Sequence, residues 1–114
     1  MIAILLFSCA IASAHAVLDH AEPKVGATVD SSPEVVKVWF SGAIEPTSSG
    51  LEVADSTGQR VDKQDVHVDE KDASLLIVSV PPLAPGVYTV TWRAVSKDTH
   101  HTHGTFQFTI ASKS

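Results

Sequence analysis

The residues best equipped for chemistry lie at the two ends of the chain. Ala12-Ser13-Ala14 is a small-x-small cleavage signal, and His15 follows it directly. Cleavage there makes His15 the first residue, with a free α-amine beside its imidazole. Amine nitrogen and imidazole Nδ1 can close one six-membered chelate ring on a single metal ion. Toward the other end, Asp98 and His100 stand at i, i+2 in Ser96-Lys97-Asp98-Thr99-His100, a spacing that in extended chain directs both side chains to one side. Together the two ends offer three nitrogens and one oxygen. That set suits Cu(II), which favours tetragonal N,O coordination.

Such a site needs a scaffold, and the sequence points to strands. Glu34–Ser41 is rich in β-branched and aromatic residues and follows a Ser32-Pro33 turn. Gly50–Ala54 alternates and ends at the turn cluster Asp55-Ser56-Thr57-Gly58. Gln59–Val68 is polar and is expected as an edge strand or irregular segment. Ala73–Val80 is nearly continuous in apolar residues and reads as a strand buried on both faces or as a sandwich core strand. Pro81–Gly86 forbids regular structure. Tyr88, Val90, Trp92 and Ala94 then alternate with Thr89, Thr91 and Arg93, and Phe106, Phe108 and Ile110 alternate with Thr105, Gln107 and Thr109. The fold class is all-β, an antiparallel sandwich or barrel.

Composition narrows the function. Residues 15–114 have the size of one domain, preceded by a signal peptide over residues 1–14. That leader is short and has no Lys or Arg ahead of its apolar run, so it reads as incomplete at its start. Leu6-Phe7-Ser8-Cys9 loosely resembles a bacterial lipoprotein site, which would keep His15 internal, but too little apolar chain precedes Cys9. The balance of 8 basic to 13 acidic residues gives a net charge of −5, which argues against a nucleic-acid partner. The single cysteine, Cys9, and the single methionine, Met1, both fall in the leader. The mature chain is thus expected to have no disulfide, no thiolate site and no thioether Cu(I) site. Asparagine is absent, leaving turns to Gly, Pro, Asp and Ser.

Beyond His15 and His100, the histidines are His20, His67, His101 and His103. His67 sits in a polar stretch and is expected to be an ordinary surface residue. His101 and His103 share a face by their i, i+2 spacing, and with His20 they form the candidate for a weaker second site.

Gly86–His100, followed by Gly104-Thr105-Phe106-Gln107-Phe108, resembles the C-terminal signature of the CopC copper-resistance family. The pattern W-R-x-x-S-x-D-x-H-x-x-x-G-x-x-x-F is met by Trp92, Arg93, Ser96, Asp98, His100, Gly104 and Phe108. His15-Ala16-Val17-Leu18 is similar to the family's mature start. Ala21-Glu22-Pro23-Lys24-Val25-Gly26 resembles its x-x-P-x-x-G turn, and Pro33–Ser41 its next strand. The resemblance implies a seven-stranded Greek-key β-barrel or sandwich in the periplasm. It also implies Cu(II) held by His15, Asp98 and His100, and delivery to a CopD-like inner-membrane copper transporter or periplasmic buffering. Two departures stand out. The family's methionine-rich segment has no counterpart, which implies the type with a Cu(II) site only. Many members carry an acid after the Phe-Ser pair, where this chain has Gly42; Glu45 is the available substitute.

Two other classes compete with a copper carrier. A histidine-brace copper mono-oxygenase also uses an N-terminal histidine, but it needs an open equatorial position that Asp98 would fill, and an aromatic platform for which few rings remain. The other is a metal-free β-sandwich interaction module. Hydrolase and phosphate-loop motifs are missing, and the reading is of a protein that is not an enzyme.

Overall fold

The computed structural model describes residues 16–112; the expected leader over 1–14 and the expected ligand His15 lie outside the described residues. Eight strands form two four-stranded sheets. One sheet has the order β1 (Leu18–Glu22), β3 (Val35–Phe40), β6 (Leu75–Ser79), β5 (His67–Val68). The other has the order β2 (Thr28–Val29), β8 (His101–Ile110), β7 (Gly86–Val95), β4 (Gly50–Ala54). Only the β5–β6 and β7–β8 connections stay within one sheet; the others cross between them.

The all-β expectation holds, with three corrections. There are eight described strands where seven were expected, because two segments pair for only two residues each, as β2 and β5. The pairing is not antiparallel throughout, since β2 runs parallel to β8. The sheets form a sandwich and do not close into a barrel. A closing strand would have to take the free edge of β4, and another segment occupies it. Arg60 bridges to Ala54, Val61 N–H donates to the Val53 carbonyl, and Val53 N–H donates to the Asp62 carboxylate.

The core follows the two-residue period of the strands. Val36, Val38 and Phe40 of β3 and Leu76 and Val78 of β6 point inward, facing Leu51 and Val53 of β4 and Tyr88, Val90 and Trp92 of β7. Phe106, Phe108 and Ile110 complete it from β8. Phe40 and Trp92 meet edge-on across the two sheets with centroids 5.3 Å apart, an arrangement aromatic quadrupoles favour. The Ala73–Val80 run resolves as a one-sided core strand: Leu76 and Val78 are buried while Ile77 between them is half-exposed. With asparagine missing, aspartate shapes the turns. Asp55, Asp69 and Asp72 each accept the N–H two residues on, from Thr57, Lys71 and Ser74.

One carboxylate belongs to the interior. Asp62 is 7% exposed. It accepts from Val53 N–H (2.9 Å), Gln64 N–H (2.8 Å), Arg60 Nε (2.8 Å) and Arg60 Nη2 (3.0 Å). Burial alone would raise its pKa, but the Arg60 guanidinium and the two backbone donors outweigh that and hold it below the usual range.

Candidate metal centre

Asp98 and His100 lie at the tip of the longest hairpin. Its strands stay in register from Gly86 opposite Ile110 to Val95 opposite His101, so the tip sits on a stem ten residues long on each side. Gly104 is required within that stem. It faces Trp92, and a Cβ there would stand 2.8 Å from the indole ring. Trp92 and Phe108 of the sequence signature are therefore core residues, and Gly104 is the space Trp92 occupies.

The tip is a turn, not extended chain. Ser96 is buried and pairs as an isolated bridge with Ile44. Thr99 N–H donates to the Ser96 carbonyl at 2.9 Å, Ser96 N–H donates to the His100 carbonyl at 3.0 Å, and Thr99 adopts φ 69°. The expected neighbourhood of Asp98 and His100 is thus real, but a turn produces it and strand alternation does not. The Ser96 hydroxyl donates to Asp98 Oδ1 and also accepts His100 N–H at 3.2 Å. The other carboxylate oxygen, Oδ2, lies 3.0 Å from His100 Nδ1. The Ser96 hydroxyl is the main influence holding the Asp98 carboxyl below its ordinary pKa, with further help from His100. The group is an anion at neutral pH, as a cation ligand must be. Both side chains face solvent, Asp98 39% and His100 57% exposed.

The amino-terminal segment arrives at this same end. Ala16 is buried, and its carbonyl accepts the Thr102 hydroxyl at 2.5 Å, two residues beyond His100. Val17 exchanges two bonds with Ser41, giving its N–H to the hydroxyl at 3.1 Å and taking Ser41 N–H at 2.8 Å. The Thr102 contact had no sequence signal beyond a threonine set between two histidines.

The remaining candidates are scattered. Glu45 pairs with Lys97 at 3.6 Å, beside Asp98. At Gly42 a Cβ would meet nothing within 4 Å, so no crowding there demands glycine. His20 stacks on Trp39 with ring centroids 4.4 Å apart and an interplanar angle of 9°, and its Nδ1 lies 2.7 Å from Asp19. It sits on the outer face of the β1–β3–β6–β5 sheet, whereas His101 and His103 belong to β8 of the other sheet. The structure therefore does not bring His20 to His101 and His103. His67 holds its own turn through the Asp65 carbonyl at 3.0 Å. Among the described residues no three His, Cys, Asp or Glu side chains converge on one point, and the third member expected at the hairpin tip is His15, outside them.

Comparison with known proteins agrees with the fold and the signature. The chain is 34% identical over 98 residues to Protein YobA of Escherichia coli K12, spanning 85% of this chain and 79% of that one. The crystal structure of CopC from Methylosinus trichosporium OB3b superposes with a TM-score of 0.80 at 34% identity, covering 85% of this chain and 94% of that one. PcoC from Escherichia coli, described as a methionine-rich copper resistance protein, superposes with a TM-score of 0.77 at 30% identity, covering 85% and 99%. This chain has one methionine, Met1. The CopC domain matches residues 18–111, nearly all of the described sandwich, and the chain belongs to the CopC family of copper-resistance proteins.

Proposed function

We propose that the exported chain begins at His15, works in the periplasm, and carries one Cu(II) between the His15 amine and imidazole, Asp98 and His100. The observation that carries this reading is the meeting of two anchored segments. Ala16 is fixed to Thr102, and a residue 15 placed before it has its Cα only about 3.8 Å further along the chain. Asp98 and His100 are fixed together by Ser96 on the same hairpin.

The geometry of the pair suits the ion. With metal–ligand bonds of about 2.0–2.1 Å, two atoms 3.0 Å apart subtend roughly 90–97° at a shared metal. That is close to the right angle between neighbouring ligands of a square plane, the arrangement Cu(II) favours. Uptake uses the Nδ1 lone pair of neutral His100, whose ring proton then sits on Nε2, and removes one proton from the amine, whose free pKa is near 8. Affinity therefore falls on acidification. Four filled equatorial positions leave little room for a substrate, which supports a carrier and not an enzyme. Lacking a sulfur ligand, the site holds Cu(I) poorly, so reduction releases the cargo. The exposure of Asp98 and His100 fits hand-over to a CopD-like inner-membrane copper transporter, a partner the family resemblance supplies.

Intact-mass measurement of the exported protein tests the start directly; a mass beginning at His15 is expected. Inserting one residue ahead of His15 is expected to alter the cupric spectrum and weaken binding by about a hundredfold, as one arm of a linked ligand set is lost. A different start, or a spectrum indifferent to the insertion, overturns the reading.

A further inference from the structure

Two histidines are left over by the site just described, and they are neighbours. His101 and His103 stand on β8, both exposed, while Thr102 between them turns inward to Ala16. Their spacing puts both rings on the outer face of the β2–β8–β7–β4 sheet, with Cβ atoms about 7 Å apart. Imidazoles reaching from such positions can converge on one ion.

The other described histidines are all engaged. His20 has Asp19 and Trp39, His67 has the Asp65 carbonyl, and His100 has Asp98. Among the described histidines, only the side chains of His101 and His103 have no hydrogen bond, ion pair or ring partner.

The nearest threat to a cation here is Arg93, the cross-strand partner of His103. Its guanidinium is drawn away to the opposite side. Gly50 of β4 also pairs with Arg93, and a Cβ at Gly50 would lie 2.3 Å from Arg93 Nη1 and 2.8 Å from Nη2. The charged group lies over the bare glycine, across β7 from β8. Gly50 thereby takes the Arg93 guanidinium away from His103.

We propose that His101 and His103 form a second, open site for a divalent transition-metal ion, filled best by Cu(II). Two imidazole nitrogens bind and water completes the coordination. Imidazole suits copper, nickel and zinc, and Cu(II) heads the order of affinity. With two protein ligands, this site is weaker and faster to exchange than one with four. It lies on the same hairpin as the proposed tip site but shares no ligand with it.

The test is a Cu(II) titration of the exported protein followed by calorimetry and electron paramagnetic resonance, with Zn(II) as a diamagnetic probe of the imidazole NMR signals. Wild type is expected to take two equivalents of Cu(II), and Zn(II) to shift the His101 and His103 rings together. H101Q/H103Q is expected to lose the weaker equivalent and keep the tighter one with its spectrum unchanged. Either single change weakens the second equivalent by about a hundredfold, because chelation is lost. D98N/H100Q keeps the weaker equivalent, so failure of the tip site and failure of this one are separately visible. A second equivalent that survives H101Q/H103Q, one that is lost in H20Q/H67Q, or a wild type that takes no second equivalent overturns the proposal. Unchanged thermal melting of the metal-free variants checks that the fold is intact.

Discussion

Asp62 and Asp98 are both aspartates held below their ordinary pKa, and they sit in opposite circumstances. Asp62 is buried, and four donors from Val53, Arg60 and Gln64 saturate its two oxygens. Asp98 is exposed and, among the described residues, has the Ser96 hydroxyl and the His100 ring as its side-chain partners. A depressed carboxylate is therefore no signature of a site by itself. What separates the two is whether both oxygens are spent on groups the fold cannot release, or whether one of them, Oδ2, meets only an exposed imidazole.

The largest effect that would break the contrast is at Asp62. D62N puts an amide against donors and leaves buried N–H groups without an acceptor, so it is expected to cost about 3 kcal/mol in denaturant unfolding. Copper affinity should stay unchanged where the variant is folded. The pH dependence follows from the same shift. A folded pKa below the unfolded value of about 3.9 contributes stability that is present above that value and is lost as the pH falls toward the folded one. Wild type should thus lose stability through this acid range, and D62N should do so less steeply. Equal acid limbs would mean that Asp62 is not a structural charge.

At Asp98 the outcome should reverse. D98N is expected to shift thermal melting of the metal-free protein only slightly, because the group is exposed and an amide oxygen can still accept from the Ser96 hydroxyl. Its Cu(II) affinity should fall about a hundredfold, since one of four linked ligands becomes a neutral amide. Copper titration together with melting reads both. A variant that unfolds easily and binds normally would exchange the roles of the two aspartates.

The sequence made these two unequally legible. Asp98 stood out because a histidine follows at i+2 in a recognisable signature, although its neighbourhood arises from a turn at Thr99 and not from extended chain. Asp62 gave no signal. It lies in a polar stretch, and only the fold brings Val53, nine residues away, onto its carboxylate. The strands divide in the same way. β3, β4, β6, β7 and β8 were readable from alternating apolar residues, since one face of each meets the core. β1 was not, because in Leu18–Glu22 only Ala21 is buried. β2 is two residues whose partner, β8, lies some eighty positions later. Local pattern reveals burial on one face; it carries no information on pairing between distant segments or on closure of a barrel.

The smallest expected effect sharpens the contrast most, because it touches Asp98 without replacing it. Ser96 is buried, and its hydroxyl ties Asp98 Oδ1 to the His100 N–H. S96A removes that tie and leaves both proposed ligands in place. One net hydrogen bond of this kind is worth about 1 kcal/mol of stability, a small shift in melting beside that of D62N. The Asp98 carboxyl should titrate closer to an ordinary aspartate, because its largest depressing influence is gone; carboxylate NMR shifts against pH would read this. Copper affinity should fall by about tenfold, the lower end for removing a group that orients a metal ligand. If S96A instead bound copper as wild type while its Asp98 titration moved, the hydroxyl would serve only to keep the carboxylate ionised. If neither moved, the Ser96 clamp would be a feature of the turn alone, and the two aspartates would differ in burial but not in how the fold prepares them.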